Sequence, residues 1–281
     1  MVQSPQRIVC LTEETTETLY LLGEGHRVVG VSGYTVRPPE ARQKPKVSAF
    51  INAKIDKVVA LEPDLVLTFS DLQADIAAQL IRRGLTVLSF NQRSVQEILN
   101  MVFTLATVVG VAEKGRALIA AWESDLDKIR RSASQFSFRP RVFFEEWNSP
   151  LISGIRWVEE LIEIAGGVPL FPELRSKKNA PDRIVDLAEV VLRNPDVVIA
   201  SWCGAKVNKK TIRSRSKWDE TPAVRNGHIY EIKSTYILQP GPAALTEGVR
   251  QLHAILAHVV GATVPSELTC LEKQDSALLI P

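Results

Sequence analysis

Two pairs of adjacent glutamates carry the densest potential chemistry in this chain. Glu13 and Glu14, with Glu17 one turn on, lie in "TEETTE", and Glu145 and Glu146 lie in "FFEEW". Each pair follows a short apolar run of strand character. Acids at a strand-to-helix turn complement the helix dipole, with Thr12 or Thr15 as the cap. Facing a ligand, they would instead accept hydrogen bonds from amide or amine donors, and their matched placement favours a donor-rich or cationic ligand. Trp147 and Trp202 also follow strand ends, before Asn148-Ser149-Pro150 and Cys203-Gly204, and Phe69 closes another apolar strand. Ligands of open α/β sheets bind beyond the carboxyl ends of the strands, which makes these aromatics contact candidates. Trp157 opens a helix among Val158, Leu161 and Ile162 and serves either core packing or ligand contact. Cys203 beside such a site would be a nucleophile or an axial metal ligand, and otherwise a small residue in a turn. The run "KVNKKTIRSRSK", Lys206 to Lys217, holds six basic residues and no acid. Such a run is a solvated loop or an overhang that meets a phosphate or carboxylate of the ligand.

Enzymatic and metal signatures are absent. No GxSxG elbow, phosphate-cradling glycine loop or HExxH occurs, so no catalytic residues are assigned. The four histidines are His26, His228, His253 and His258; the last two are five apart, which does not place both on one helical face, and no metal site is expected. The three cysteines form no CxxC pair, and Cys10, inside an apolar strand, reads as a small buried hydrophobe. At 45% hydrophobic and 23% charged the chain has ordinary globular composition, and a net charge of +2 argues against a general nucleic-acid binder. No apolar run of about 18 residues is present, so no membrane span is expected. "MVQSPQRIVCL" enters a strand without a basic region and apolar stretch, so the expected location is cytoplasmic as written, and periplasmic if the start codon lies upstream.

The elements that must position these residues come in two copies. "IDKVVALEPDLVLTFS" (Ile55 to Ser70) and "VDLAEVVLRNPDVVIASW" (Val185 to Trp202) each run from a helical pattern through a Pro-Asp corner into a strand apolar on both faces. Such strands belong to parallel sheets covered by helices. The corners Pro63-Asp64 and Pro195-Asp196 are 132 residues apart, and the strand openings "RIVCL" at Arg7 and "RVFF" at Arg141 are 134 apart. The expected fold is α/β: two Rossmann-like lobes joined by a long helical connector, with a ligand cleft between the lobes. The first lobe, residues 1–93, alternates strands at Ile8–Leu11, Val28–Val31, Leu65–Phe69 and Thr86–Phe90 with helices near Thr15–Leu22, Ile55–Leu61 and Gln73–Arg83. A connecting helix follows at 94–134, opened by Ser94 and Glu97 as a capping box and interrupted at Gly110. The second lobe spans 135–263, with a helix near Trp157–Ala165, a strand at His228–Ile232 and a final helix near Ala244–Val260. Residues 264–281 form a tail. A stiff connector implies a largely preformed cleft.

The plan of lobe, helix and lobe, together with "VVGVSGYTVRPPEARQKPKVSAF", "KIDKVVALEPDLVLTFSD", "EEWNSPLISGIRWVEELIEIAGG" and "IYEIKSTYILQPGPAALTEGVRQL", resembles the vitamin B12-binding proteins. These are helical-backbone substrate-binding proteins of ABC importers, related to siderophore and haem binders, and the resemblance covers roughly residues 7–260. It implies a monomeric, non-enzymatic binder that needs no cofactor of its own and holds a corrinoid, alternatively haem or a siderophore, between aromatic side chains. The cleft aromatics fall at Tyr34 in "SGY", Phe50 in "VSAF" and Phe69, with Trp147, Trp157 and Trp202 in the matching loops of the second lobe. Tyr236 and Gln239 lie in the carboxy-terminal motif, where Gln239 replaces the arginine usual before "PGP". The importer-docking glutamates, seven residues before each corner proline, correspond here to Asp56 and to Ala188, with Glu189 one place along. These departures count against a permease partner. The alternative is a cytoplasmic protein of the same fold with another ligand, or an enzymatic role for Glu13, Glu14, Glu145, Glu146 and Cys203.

Overall fold

Both Pro-Asp corners fold as the same device. In the computed structural model, which describes residues 4–270, the residue before each corner proline takes a left-handed conformation, Glu62 at φ 46° and Asn194 at φ 55°. A left-handed residue ends a helix, and the proline behind it starts an extended chain. The aspartate then reaches back to the strand that opens the same half. The Asp64 N–H donates to the Arg7 carbonyl at 2.9 Å while Asp64 Oδ1 accepts the Arg7 N–H at 2.9 Å. The Asp196 N–H donates to the Arg141 carbonyl at 2.9 Å while Asp196 Oδ2 accepts the Arg141 N–H at 2.8 Å. The arginine side chains finish the corner. Arg7 donates to the Leu61 carbonyl at 2.6 Å, and Arg141 to the Arg193 carbonyl at 3.2 Å, filling acceptors left open at the helix ends.

The chain divides into two units, one taking residues up to Gln92 together with Gln96–Ala121, the other Arg93–Val95 together with residues from Trp122 onward. The first contains β1 (Ile8–Cys10), α1 (Glu13–Leu21), β2 (Val28–Ser32), β3 (Lys46–Ala49), β4 (Asn52–Ala53), α2 (Ile55–Ala60), β5 (Leu65–Phe69), α3 (Ala74–Arg82), β6 (Val87–Phe90) and α4 (Val95–Val108), with α5 (Ala112–Ala133) crossing the boundary. Its sheet has the order β4-β3-β2-β1-β5-β6, parallel except for β3 with β4. Every residue of β1 and β5 is buried, as their uninterrupted apolar sequences require. The short pair β3 and β4 has no counterpart in the sequence reading, because "KVSAFINA" is too short and polar to carry a period.

The connector is two helices. Gly110, at φ 81°, donates its N–H to the Thr107 carbonyl and ends α4. α5 then packs against it so closely that a Cβ on Gly115 would lie 2.5 Å from Ala106 Cβ. The second unit contains β7 (Arg141–Asn148), β8 (Leu151–Ser153), α6 (Arg156–Ala165), β9 (Val168–Pro169), α7 (Leu187–Arg193), β10 (Val197–Ala200), α8 (Lys209–Arg213), α9 (Pro222–Arg225), β11 (Ile229–Glu231), α10 (Ser234–Ile237) and α11 (Val249–Val260). The sheet order is β11-β10-β7-β8, with β9 beside the start of β7; β7 and β8 are antiparallel and the remaining pairs parallel. His253 of α11 is fully buried, 3.0 Å from the Ala165 carbonyl and 2.9 Å from Ser132 Oγ, and stacks on Phe136 at 5.3 Å. Burial lowers its pKa, which marks a neutral packing histidine. Among the described residues no group of three or more His, Cys, Asp or Glu is placed to hold a metal, and no helix is long and apolar enough to cross a membrane. Of the expected tail, residues 271–281 lie outside the described residues.

The corner aspartates carry different loads. Asp196 accepts three hydrogen bonds from Arg141 and is half-buried; Asp64 is exposed and accepts the Gln6 and Arg7 backbone N–H groups. Asp196→Ala should therefore lower stability by about 2 kcal/mol and Asp64→Ala by about 1 kcal/mol, read by urea unfolding. Equal losses would contradict this assignment.

Candidate ligand-binding site

In the first unit the carboxyl ends of β1, β2, β3 and β5 converge on one hydrogen-bonded edge. Ser48 Oγ donates to the Leu11 carbonyl at 3.0 Å, the Gly33 N–H to the Ser48 carbonyl at 2.7 Å, and the Tyr34 N–H to Ser32 Oγ at 3.1 Å. Ser32 Oγ in turn donates to Glu13 Oε1 at 2.8 Å. Tyr34 is held here by its backbone while its side chain, 56% exposed, projects from the edge. Phe50, just past β3, is half-buried and sits at φ 52°, which costs a bulky residue energy and needs support. Gln73 supplies it: fully buried, its Nε2 donates to the Phe50 carbonyl at 2.6 Å and its Oε1 accepts the Phe69 N–H at 2.9 Å. Phe69 is itself 4% exposed, so its ring is mainly packing. Ser70 follows at φ 58°, donating its N–H to the Phe90 carbonyl at 2.6 Å.

The acids of "TEETTE" are buried. Glu14 Oε1 accepts the Thr12 hydroxyl at 2.6 Å, and Glu17 pairs with Arg37 at 2.9 Å. Burial, reinforced by the charge of Glu13, pushes Glu14 up to about 8, so it stays protonated at neutral pH. Burial also raises Glu13, against the opposing bond from Ser32. The neighbouring Cys10 thiol is pushed up to about 12 by burial and is inert, in keeping with a small buried hydrophobe.

The second unit treats its acids differently. Glu145, fully buried at the end of β7, receives both guanidinium nitrogens of Arg215, at 2.6 and 2.8 Å, and the Trp202 indole N–H at 3.0 Å. Glu146 receives Arg183, itself 1% exposed, at 2.6 and 3.1 Å. A carboxylate taken out of water needs such a partner. Neither acid therefore presents unbalanced charge to a ligand, which corrects the expectation of opposed acids selecting a cation. Trp202 is 6% exposed with its indole committed to Glu145, and Trp157 is 3% exposed with its indole donating to the Ile237 carbonyl at 2.9 Å. Trp147 is half-buried, its indole donating to the Ser149 carbonyl at 3.0 Å. Tyr236, in α10, and Gln239, just past it, are half-buried, and Cys203 is exposed one residue beyond Trp202. On α2 and α7, the Asp56 side chain is 91% exposed and pairs with Arg83, while Glu189 pairs with Arg193.

Gln73, Arg183 and Arg215 escaped the sequence reading. Gln73 is one polar residue in a helix-opening "DLQAD", and Arg215 is indistinguishable from its basic neighbours until its partner Glu145 is known. A further missed group is Glu159 on α6, pushed to about 8 by burial.

Two α/β units with aromatic and polar groups at the carboxyl ends of their parallel strands, joined through helices, define the class of substrate-binding proteins. The periplasmic binding protein family matches residues 8–236, and the chain belongs to it. The ABC transporter substrate-binding lipoprotein YvrC of Bacillus subtilis is 29% identical over 263 residues, 89% of this chain and 79% of that protein. A vitamin B12-binding protein of Vibrio parahaemolyticus is 25% identical over 247 residues, 85% of this chain and 86% of that one. Among solved structures, the periplasmic vitamin B12 binding protein BtuF of Vibrio cholerae has a TM-score of 0.75 at 23% identity, covering 92% of this chain and 99% of its own. A periplasmic haem-binding protein from Pseudomonas aeruginosa has 0.78 at 18% identity, covering 93% and 95%. At these identities the solved structures establish the fold. The lipoprotein and periplasmic relatives agree with the periplasmic alternative and lend the cytoplasmic reading no support.

Two measurements probe this edge. Glu14 is raised in the folded state, so the unfolded chain ionises first. The stability cost is absent below about pH 4.5 and grows until about pH 8. Glu14→Gln should leave Tm near that of the unmodified protein at pH 5 and raise it by several degrees at pH 8; an unchanged difference between the two pH values would contradict a buried neutral carboxyl. At Phe50 the left-handed backbone makes alanine worse than glycine. Phe50→Gly should be more stable than Phe50→Ala by about 1 kcal/mol in urea unfolding, and the reverse order would show that the strain is relieved.

Proposed function

We propose that this protein is the substrate-binding component of an ABC importer and that its ligand is a corrinoid of the cobalamin type. The observation that carries the reading is the placement of Tyr34 and Phe50 at the carboxyl ends of one sheet and Trp147 at those of the other, on a fold shared with vitamin B12 binders. Rings whose backbones are fixed offer a large planar ligand contact area at low entropic cost. Within their own units Phe69, and Trp202 and Trp157, are buried packing, and Tyr236, Gln239 and Cys203 are further contact candidates of the second unit. Haem is the second reading, favoured by haem-binding structural neighbours such as RhuT of Roseiflexus, with a TM-score of 0.77.

An enzymatic role is disfavoured, because Glu145 and Glu146 are neutralised by arginines and Glu13 and Glu14 are buried. For a permease, Asp56 is the better surface acid. Its pair with Arg83 is exposed and so weak that it exchanges readily for another cation.

Titration with cobalamin, haem and a ferric siderophore, followed by tryptophan fluorescence, tests the proposal. Saturable quenching by cobalamin is expected, with Tyr34→Ala and Trp147→Ala each weakening it about tenfold. Quenching by haem alone transfers the assignment to the second reading, and the absence of quenching by all three would falsify both.

A further inference from the structure

The basic segment after β10 is a built loop. Val207 and Ile212 are buried in the core of the second unit, and Asn208 caps α8 by accepting the Lys210 and Thr211 N–H groups. Arg215 folds back to the buried Glu145 and stacks 4.5 Å above the ring of Trp218. The acid that reaches the loop from outside, Glu231, accepts the Val207 N–H, and the next acids along the chain, Asp219 and Glu220, lie beyond Trp218. With Arg215 consumed by Glu145, Lys206, Lys210 and Arg213 remain exposed, and among the described residues none of the three has an ion-pair partner. Lys206 stands four residues past Trp202, in the loop that leaves the carboxyl end of β10.

A solvated loop would not spend two buried apolar side chains, a cap and a bidentate ion pair on its own shape. Those contacts fix a cluster of like charges that repel one another, at the strand edge where this fold binds ligands. Of the acids at the same edge, Glu145 and Glu146 are paired with arginines, and Glu231, which accepts the Val207 N–H, lies beside Lys209, so one acid faces the six basic residues of the loop. We infer that loop 203–217 is a cationic rim that recognises an oxyanion, a phosphate or a carboxylate, carried by the ligand. Lys206 and Lys210 are its principal donors, held in place by the Arg215–Glu145 pair. The inference rests on the proposed function and deepens it: the bound tetrapyrrole must present an anionic group to the second unit.

Cobalamin carries a phosphodiester-linked nucleotide and cobinamide is the same ring without that nucleotide; haem carries two carboxylates that its dimethyl ester lacks. The full chain and a Lys206→Gln, Lys210→Gln double variant are titrated with all four, at low salt and at 0.5 M NaCl, with Lys57→Gln on α2 as the charge control. In the unmodified protein the oxyanion-bearing member of the binding pair should bind about tenfold tighter than its partner at low salt, with the gap narrowing at high salt. The double variant should lose that gap while keeping Tm and the affinity for the partner without the oxyanion; Lys57→Gln should change neither. A gain in the cobalamin pair that the double variant and high salt abolish identifies the phosphodiester as the group read, and one in the haem pair the carboxylates. Binding with no preference for the oxyanion-bearing member, or a preference that survives the double variant, overturns the inference alone. No binding by any of the four ligands overturns the proposed function and this inference with it.

Discussion

Everything in each unit hangs on the bond between an arginine that opens one strand and an aspartate that opens its neighbour. In each pair, Arg7 with Asp64 and Arg141 with Asp196, the aspartate N–H donates to the arginine carbonyl and the aspartate carboxylate accepts the arginine N–H, one residue before the ladders Ile8 with Leu65 and Val142 with Val197 begin. Register is set at that point, and in a sheet buried on both faces a slip of one residue would misplace every side chain. Because the first ladder is fixed at its amino end, its far end delivers Thr12, Glu13 and Phe69 to defined positions. The second delivers Glu145, Trp147 and Trp202 in the same way.

What the two edges do with this shared frame differs. The first keeps its acids by burial and protonation, with Glu14 neutral and Glu13 tied to Ser32, so its exposed surface is aromatic and polar and has little charge. The second pairs its acids with two arginines, Glu145 with Arg215 and Glu146 with Arg183. The desolvation cost of Glu145 is offset by a bidentate partner, and that partner belongs to the loop after β10, so neutralising the strand also shapes the loop. One ion pair thus links sheet electrostatics to the surface offered to a ligand.

Much of the fold was legible in the sequence. The strands from Leu65 and Val197 are continuous apolar runs behind Pro-Asp corners, and their duplication, with Arg7 and Arg141 at nearly the same offset, implied two α/β halves and parallel sheets. The interruption at Gly110 was visible too, although only the packing of Gly115 on Ala106 turned it into a helix pair. The short β3, β4, β8 and β9 strands were not legible, because two to four residues carry no period and exist only where a neighbouring strand offers partners.

The candidate site divides along the same line. Residue type and chain position placed Trp147 and Trp202 at strand ends, since strand and turn signals are local, whereas Tyr34 and Phe50 were named through the family resemblance; β7 in fact runs on to Asn148. Tertiary structure alone decided which of them show their rings. Trp202 and Trp157 turned inward because Glu145 and the Ile237 carbonyl needed donors, while Tyr34 remained exposed. It also decided that a basic run of uniform appearance contains one arginine committed to a buried acid, Arg215, and two exposed lysines, Lys206 and Lys210, with no ion-pair partner among the described residues. Partners 70 residues apart, as Arg215 and Glu145 are, leave no pattern in the sequence between them; only the folded chain brings their charges within reach.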